Sequence, residues 1–253
     1  MDSKTAFVTG AGSGIGKAIA KGLAENGYDV AFSYFGNKEG AKETEKIIES
    51  LGRRPLAVRA DMRNIDDINM AFARIENEFS HLDVYVNNAG VTEKCDFLHT
   101  SPKLFDSIVL LDYRGAFFCM QAAAKLMVKN HTKGSIVLIS SNNAKAHFAD
   151  VSVYGSAKAA AQKAAQHAAI ELAAYGIRVN TISPGWTDTG AARLDEKEST
   201  YYKIPLGKWV DVDEIADAVI YLSSKSARSV TGAEIIIDNG ALLQADKHER
   251  YGF

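Results

Sequence analysis

Tyr154 and Lys158 lie four residues apart in the segment SVYGSAK, residues 152–158. A free phenol has a pKa of about 10, so proton exchange near pH 7 needs a shift of about three units, or roughly 4 kcal/mol. One positive charge at about 4 Å supplies roughly that energy if the effective dielectric constant is near 20. The pair therefore predicts a tyrosine that acts as a general acid and base with the help of a lysine.

The same spacing occurs at three places in the chain: Tyr34/Lys38, Tyr154/Lys158 and Tyr221/Lys225. The first pair spans Gly36 and is predicted to lie in a loop. The third falls at the end of a predicted helix, where a lysine interacts favourably with the helix dipole. The middle pair begins a helix just after a strand that ends at Ser141, and carboxyl ends of parallel strands are where ligands bind. A spacing of four places both side chains on one helix face.

Short apolar segments alternate with longer helical patterns along the chain. Strands are predicted at 6–10, 29–34, 55–60, 82–90, 134–141, 177–185 and 233–240, and helices near 14–26, 38–51, 64–79, 101–130, 152–176 and 211–223. This alternation predicts a parallel sheet with helices on both faces. No linker or repeat interrupts it, so residues 1–253 are predicted to form one domain. The irregular segment 185–206 is predicted to be a substrate lid.

Four glycines follow the first predicted strand, in AFVTGAGSGIGKAIA: Gly10, Gly12, Gly14 and Gly16. Glycines there allow a tight turn and let a pyrophosphate approach the helix N-terminus. An ATPase-type phosphate loop is excluded because positions 11 and 18 are alanine, and G-x-G-x-x-G fails because Ile15 and Lys17 stand where the last glycine belongs. A turn without a ligand is the alternative, but four glycines in seven residues favour a nucleotide. The remaining pattern is Thr9-Gly-x-x-x-Gly-x-Gly16.

Five signals follow one another along nearly the whole chain: this glycine pattern, NNAG at 87–90, Ser141, Tyr154 with Lys158, and PGWTDT at 184–189. In this order and at these intervals they resemble the short-chain dehydrogenase/reductase family, nearest to its 3-oxoacyl carrier-protein reductases and glucose dehydrogenase-like members. The resemblance implies a single Rossmann-like, doubly wound α/β domain with a seven-stranded parallel sheet. It implies an NAD(P)-dependent oxidoreductase that interconverts an alcohol and a ketone or aldehyde. It also implies a homotetramer that packs through the alanine-rich helix at 157–174.

The resemblance assigns catalytic roles to three side chains. Tyr154 would exchange the proton, Ser141 would hydrogen-bond the substrate oxygen, and Lys158 would also hold the nicotinamide ribose. The family usually has an asparagine where this chain has Asp112, and a carboxylate there would compete for the charge of Lys158. Asp112 is kept as a fourth catalytic candidate.

The resemblance also assigns residues to the cofactor. They are Gly10, Gly12, Ser13, Gly14, Ile15, Gly16, Tyr34, Asn37, Lys38, Asp61, Met62, Asn88, Ala89, Gly90, Tyr154, Lys158, Pro184, Gly185, Thr187 and Thr189. An acid at the end of the second strand would bind the ribose of NAD and repel the 2′-phosphate of NADP. That position is Tyr34, so NADP is favoured and NAD is the alternative. The basic residue of many NADP-dependent relatives is replaced by Ser13, for which Asn37 and Lys38 are the candidate substitutes.

Composition excludes several other classes. The net charge is −2, without the basic excess of a nucleic-acid-binding protein. Two cysteines, no signal peptide and no apolar run of about 18 residues indicate a cytoplasmic protein without a membrane span. Cys95-x-x-x-His99 lacks a second pair, so no metal is expected. A hydrolase is set aside because no G-x-S-x-G elbow occurs.

Two alternatives to turnover by a dehydrogenase stay open. One is a non-catalytic dinucleotide-binding sensor or scaffold, which only Asp112 favours. The other is an epimerase or dehydratase with a tightly held cofactor. Tyr175 stands before Gly176 where carrier-protein reductases generally have arginine, which favours a small free substrate. The candidate pocket, polar with an aromatic wall, comprises Asn142, Asn143, Lys145, His147 and Trp186.

Overall fold

A computed structural model describes residues 3–190 and 203–243 of the chain. Its strands are β1 Lys4–Val8, β2 Tyr28–Tyr34, β3 Pro55–Arg59, β4 Val84–Asn87, β5 Ser135–Ile139, β6 Arg178–Pro184, β7 Thr187–Asp188, β8 Val210–Asp211 and β9 Glu234–Ile237. Seven of them form a parallel sheet in the order β3-β2-β1-β4-β5-β6-β9. The strand order reverses direction between β1 and β4, so the doubly wound fold is confirmed.

The helices are α1 Gly14–Glu25, α2 Lys38–Ser50, α3 Ile65–Phe79, α4 Pro102–Val109, α5 Ala116–Lys129, α6 Ser152–Leu172 and α7 Val212–Ser223. Several begin at a side chain that accepts a hydrogen bond from the first turn, as expected of helix N-caps. Asn37 caps α2, Asn64 caps α3, and Asp211 forms a capping box with Glu214 at α7. Among the described residues, no helix is long and apolar enough to cross a membrane.

Helices cover both faces of the sheet because successive strand side chains point to opposite faces. On one face, α3, α5 and α6 bury a cluster in which the rings of Phe7, Phe72 and Tyr85 contact one another at 5.2 to 5.6 Å between centroids. On the other face, α1, α2 and α7 pack over Val8 and Val86. Because helices cover both faces, a ligand is expected to bind at the carboxyl edge of the sheet.

The predicted helix 101–130 is interrupted. Residues Leu110–Gly115 form a π-helical turn between α4 and α5, and Asp112 lies inside it. Such turns are rare in proteins as a whole, and those that occur often lie at functional sites. The predicted helix 152–176 ends as α6 at Leu172 and closes through a short 3₁₀ turn, with Gly176 at φ 74°.

The predicted lid at 185–206 is only partly described. Its first residues form β7, which pairs in parallel with β8. Residues 191–202 lie outside the described part of the chain.

Candidate active site

A cleft of 690 Å³ at the carboxyl edge of the sheet brings Ser141, Tyr154 and Lys158 together. Strand β5 ends at Ile139, and the chain passes through Ser141 into a 3₁₀ turn at Asn142–Ala144. Helix α6 then begins at Ser152 and passes the same edge. The order strand, turn, helix therefore places a serine from the strand end beside a tyrosine from the first helical turn.

Ser141 is 6% exposed, and a hydrogen bond to the neighbouring backbone orients its hydroxyl group. Its Oγ accepts a hydrogen bond from the backbone N–H of Asn143 at 3.1 Å. This bond uses an acceptor lone pair and leaves the hydroxyl proton for another oxygen. Ser141 is thus suited to donate to a substrate carbonyl or alkoxide in the cleft.

Lys158 is buried, and its ammonium group lies among three partners. Nζ is 3.0 Å from Oδ1 of Asp112, donates to the carbonyl oxygen of Ile139 at 3.2 Å, and lies 5.6 Å from the ring centroid of Tyr154. Burial lowers the pKa of Lys158, but the negative charge of Asp112 and the nearby phenol of Tyr154 outweigh it, so the pKa is raised overall. Lys158 therefore stays protonated beside the phenol at neutral pH.

The π-helical turn positions Asp112, the acidic partner of Lys158. Asp112 has a fully buried side chain, and its Oδ2 accepts the backbone N–H of Val91 at 2.9 Å. A Cβ on Gly90 would come within 2.6 Å of Oδ1 of Asp112 and 3.0 Å of Nζ of Lys158. The glycine of the NNAG segment thus leaves the room in which the Asp112–Lys158 pair forms.

A second cleft of 570 Å³ continues from the first along the sheet edge towards β2 and β3. The two clefts share Ile15, Asn88, Gly90 and Thr92, so they form one groove. The predicted cofactor residues that line the groove are Gly10, Ser13, Ile15, Gly16, Tyr34, Asp61, Met62, Asn88, Ala89, Gly90, Tyr154, Lys158, Pro184, Gly185, Thr187 and Thr189. Two joined clefts of 690 and 570 Å³ suit an extended dinucleotide.

The glycine turn at the middle of the groove fits a pyrophosphate. Helix α1 follows its N-cap residue Ser13 without a side-chain cap hydrogen bond and without an acid in its first turn, in contrast to α2 and α3. Backbone N–H groups at such a terminus favour an anion. A Cβ on Gly16 would come within 2.5 Å of the carbonyl oxygen of Gly10, so the turn tolerates no side chain there.

The remaining predicted cofactor residues are not on the groove wall. Asn37 supports it instead: its Nδ2 donates to the carbonyl oxygen of Gly12 at 3.1 Å, while its Oδ1 caps α2. Gly14 has φ 53°, a left-handed conformation that glycine adopts readily. Lys38 is exposed as the first residue of α2.

At its end beside β2 and β3, the groove contains an arginine and a phenylalanine that the sequence did not single out. The guanidinium of Arg63 binds both carboxylate oxygens of Asp61 at 2.8 to 3.0 Å. Burial alone would raise the pKa of Asp61, but the hydrogen bonds from Arg63 lower it overall. The guanidinium groups of Arg59 and Arg63 lie 5.6 and 5.5 Å from the ring centroid of Phe35. This end of the groove therefore carries Arg63 together with two acids, Asp61 and Glu93, and Arg59 lies beside Phe35.

The substrate side of the cleft differs in part from the predicted pocket. Asn142, Asn143 and Trp186 line it, but Lys145 and His147 line a neighbouring depression of 350 Å³. Phe148 lines both and meets Trp186 edge to face at 5.1 Å. The cleft wall also includes Thr92, Lys94 and Trp209. No motif in the sequence marks these residues, because they reach the cleft from separate loops.

Comparison with known proteins agrees with this geometry. A family model described as enoyl-(acyl carrier protein) reductase matches residues 10–241. The chain is 34% identical over 244 residues to the 3-oxoacyl-(acyl-carrier-protein) reductase of Staphylococcus aureus strain Mu50 / ATCC 700699, which covers 95% of this chain and 99% of that protein.

Solved structures give the same result. The acetoin dehydrogenase from Enterobacter cloacae superposes with a TM-score of 0.90 and 34% identity, covering 99% of this chain and 98% of that chain. A short-chain type dehydrogenase/reductase from Mycobacterium marinum has a TM-score of 0.89 at 30% identity, covering 95% of both chains.

Proposed function

Because the chain belongs to the short-chain dehydrogenase/reductase family and is an NAD(P)-dependent oxidoreductase of alcohol and carbonyl groups, we propose that Tyr154 exchanges the proton in its reaction. The observation that carries this proposal is that Ser141, Tyr154 and Lys158 line one cleft that continues into a dinucleotide-sized groove. The relatives are named as oxidoreductases, so the non-catalytic alternative gains no support.

Each catalytic side chain has one task in the proposed mechanism. When bound, the nicotinamide supplies or accepts a hydride. Tyr154 donates its phenolic proton to the carbonyl oxygen in reduction and accepts the hydroxyl proton in oxidation. Ser141 donates a hydrogen bond to the same oxygen and stabilises its developing charge. Lys158 stabilises the phenolate and is placed to hold the nicotinamide ribose.

Replacing Tyr154 by phenylalanine tests the proposal. We expect Tyr154→Phe to lower kcat by about 10²- to 10⁴-fold, because general acid–base catalysis contributes that much, while cofactor binding persists. The measurement is steady-state reduction of a ketone panel, with cofactor fluorescence as the binding assay. Tyr221→Phe is the matched control, since Tyr221 belongs to another Tyr-x-x-x-Lys pair on the exposed face of α7. Turnover retained in Tyr154→Phe would contradict the assignment of Tyr154 as the proton donor and acceptor.

We propose NADP as the preferred cofactor. Tyr34 replaces the acid that would repel a 2′-phosphate, and Arg59 and Arg63 flank Phe35 at the same end of the groove. Fluorescence titration should show NADPH binding at least about tenfold tighter than NADH, equivalent to ~1.4 kcal/mol. Tyr34→Asp should reverse the preference, with Tyr34→Phe as the neutral control. Equal binding of both cofactors to the unmodified protein would contradict this assignment.

We further propose a small free carbonyl compound as substrate. An apolar part would lie against Phe148 and Trp186, which form one wall of the cleft, and the polar side chains of Asn142 and Asn143 would face its oxygens. The chain would form one domain, since β1 and β9 belong to one sheet. We propose the cytoplasm as its location, because both of its cysteines are free. A comparison of kcat/KM for small ketones and for an acyl-carrier-protein thioester tests the substrate; a higher value for the thioester would contradict it.

A further inference from the structure

Asp112 stands between two hydrogen-bond donors that reach it from different elements. Its Oδ2 accepts the backbone N–H of Val91 at 2.9 Å, and its Oδ1 lies 3.0 Å from Nζ of Lys158. A carboxylate offers an acceptor oxygen to each donor, whereas an amide offers one oxygen and would turn its NH₂ towards the other. The carboxylate of Asp112 therefore presents one oxygen to each of the two donors.

The contact between Asp112 and Lys158 is mainly electrostatic. Both side chains are at most 5% exposed, and Oδ1 has no hydrogen bond of good geometry among the described residues. At 3.0 Å and away from water, the two charges largely cancel as seen from outside the pair. Lys158 thus acts on Tyr154 as half of a buried ion pair rather than as a free cation.

The other groups facing Tyr154 do not restore this charge. Its own helix contributes Lys158, and the loop after β5 contributes the uncharged Ser141, Asn142 and Asn143. The segment from β6 to β7 contributes Pro184–Thr187, which are also uncharged. The loop after β4 contributes Lys94, the other charged residue on the described cleft wall, and its side chain is exposed to screening solvent.

We propose that Asp112 is a positioning residue that holds Lys158 against the groove and weakens the electrostatic effect of Lys158 on Tyr154. The pairing affects the proton transfer of Tyr154 in both directions of the reaction. In reduction Tyr154 would give its phenolic proton to the carbonyl oxygen and regain a proton from water, while a bound nicotinamide would supply the hydride to the carbonyl carbon. This inference rests on the proposed role of Tyr154.

The test is the pH dependence of kcat/KM in both directions, between about pH 6 and pH 10, for the full chain and for Asp112→Asn. In the unmodified enzyme, the alkaline limb of reduction should lie above about pH 8. In Asp112→Asn, we expect this limb and the acid limb of oxidation to move about one pH unit lower, because Lys158 is no longer neutralised.

A purely structural role for Asp112 predicts a different result. Loss of structure alone would lower kcat in both directions equally and leave both limbs in place, which would overturn the proposal. Asp106→Asn, an exposed acid on α4, is the matched control and should change neither limb. Asp112→Ser is the second neutral variant if Asp112→Asn does not fold. The pH profile of the unmodified enzyme is a further test: an alkaline limb of reduction near pH 7 would contradict the proposal.

Failure of the proposal is distinguishable from failure of the assigned function. If Tyr154→Phe retains turnover, the role of Tyr154 itself is wrong. If Tyr154→Phe is inactive and the limbs of Asp112→Asn coincide with those of the unmodified enzyme, only the inference about Asp112 fails.

Discussion

At the scale of single residues, the site depends on Gly90, which has no side chain. Gly90 ends the NNAG segment directly beside Asp112 and Lys158, which pair at 3.0 Å. The groove, the ion pair and the backbone of this segment occupy adjoining space. The pair therefore depends on the absence of a side chain at Gly90 as well as on the attraction between its charges.

The variant Gly90→Ala tests this dependence. The added Cβ would lie 2.6 Å from Oδ1 of Asp112, so we expect a loss of stability of about 1–3 kcal/mol, typical of overpacked cores, together with weaker cofactor binding. Thermal unfolding and cofactor titration measure the two effects. Gly22→Ala in α1 is the control, because its nearest neighbour would be at 3.5 Å and alanine favours a helix. Unchanged unfolding of Gly90→Ala would refute the expectation.

At the scale of elements, the loop after β5 is anchored to the far edge of the sheet. Glu234 on β9 pairs with Lys145 of this loop and accepts the hydroxyl of Ser183 on β6 at 2.7 Å. Asn142 of the same loop donates to Asp238, just after β9, at 3.4 Å. These contacts attach the turn that presents Ser141 to the last strands of the sheet.

The anchor should give a pH-dependent contribution to stability. Burial raises the pKa of Glu234, but Lys145 and Ser183 outweigh it and the pKa is lowered overall. This stabilisation is therefore full above the unfolded value, about 4.3, and is lost as the pH falls through the lower folded pKa. We expect Glu234→Gln to cost about 1 kcal/mol at pH 7 after solvent screening.

Denaturant unfolding of both proteins between about pH 7 and pH 3 measures this difference, which should shrink towards zero at the acid end. Glu39→Gln is the control, because the ion pair of Glu39 with Lys42 lies on the exposed face of α2. A difference independent of pH would show that the carboxylate charge is not responsible.

At the scale of the whole molecule, α5 and α6 present an apolar depression of 540 Å³. Its lining includes Phe117, Ala164, Ala168 and Leu172, and Phe117 is 41% exposed. Small side chains on α6 let another helix approach closely. This is the face through which we propose that four copies of the chain assemble.

Substitution of Phe117 tests the assembly. The unmodified protein should elute at the mass of a tetramer in light scattering coupled to size-exclusion chromatography. Phe117→Glu should dissociate it into smaller species, because an unpaired charge buried at an interface is costly. Phe97→Glu, which changes an 82% exposed phenylalanine outside the depression, should leave the mass unchanged. A monomeric unmodified protein would contradict the proposal.

Most of the fold and the centre of the site were predictable from the sequence because their signals are local. Alternating strand and helix patterns gave the doubly wound sheet, and the glycine turn gave the start of the groove. Ser141, Tyr154 and Lys158 belong to one β5–loop–α6 unit, so their spacing in the chain carries their arrangement in space. The other two Tyr-x-x-x-Lys pairs lie at a strand-to-helix loop and a helix end, as their neighbours in the sequence indicated.

Only the tertiary structure decided what depends on contacts between distant segments. The π-helical turn brings Asp112 to Lys158, and loops from separate strands bring Phe148 and Trp186 together. Adjacency in the chain also misled: Lys145 and His147 follow Asn143 but line the neighbouring depression and not the cleft. Periodicity and spacing record which way a side chain points within its own element. Which distant group it meets depends on how those elements pack, and no local pattern records that.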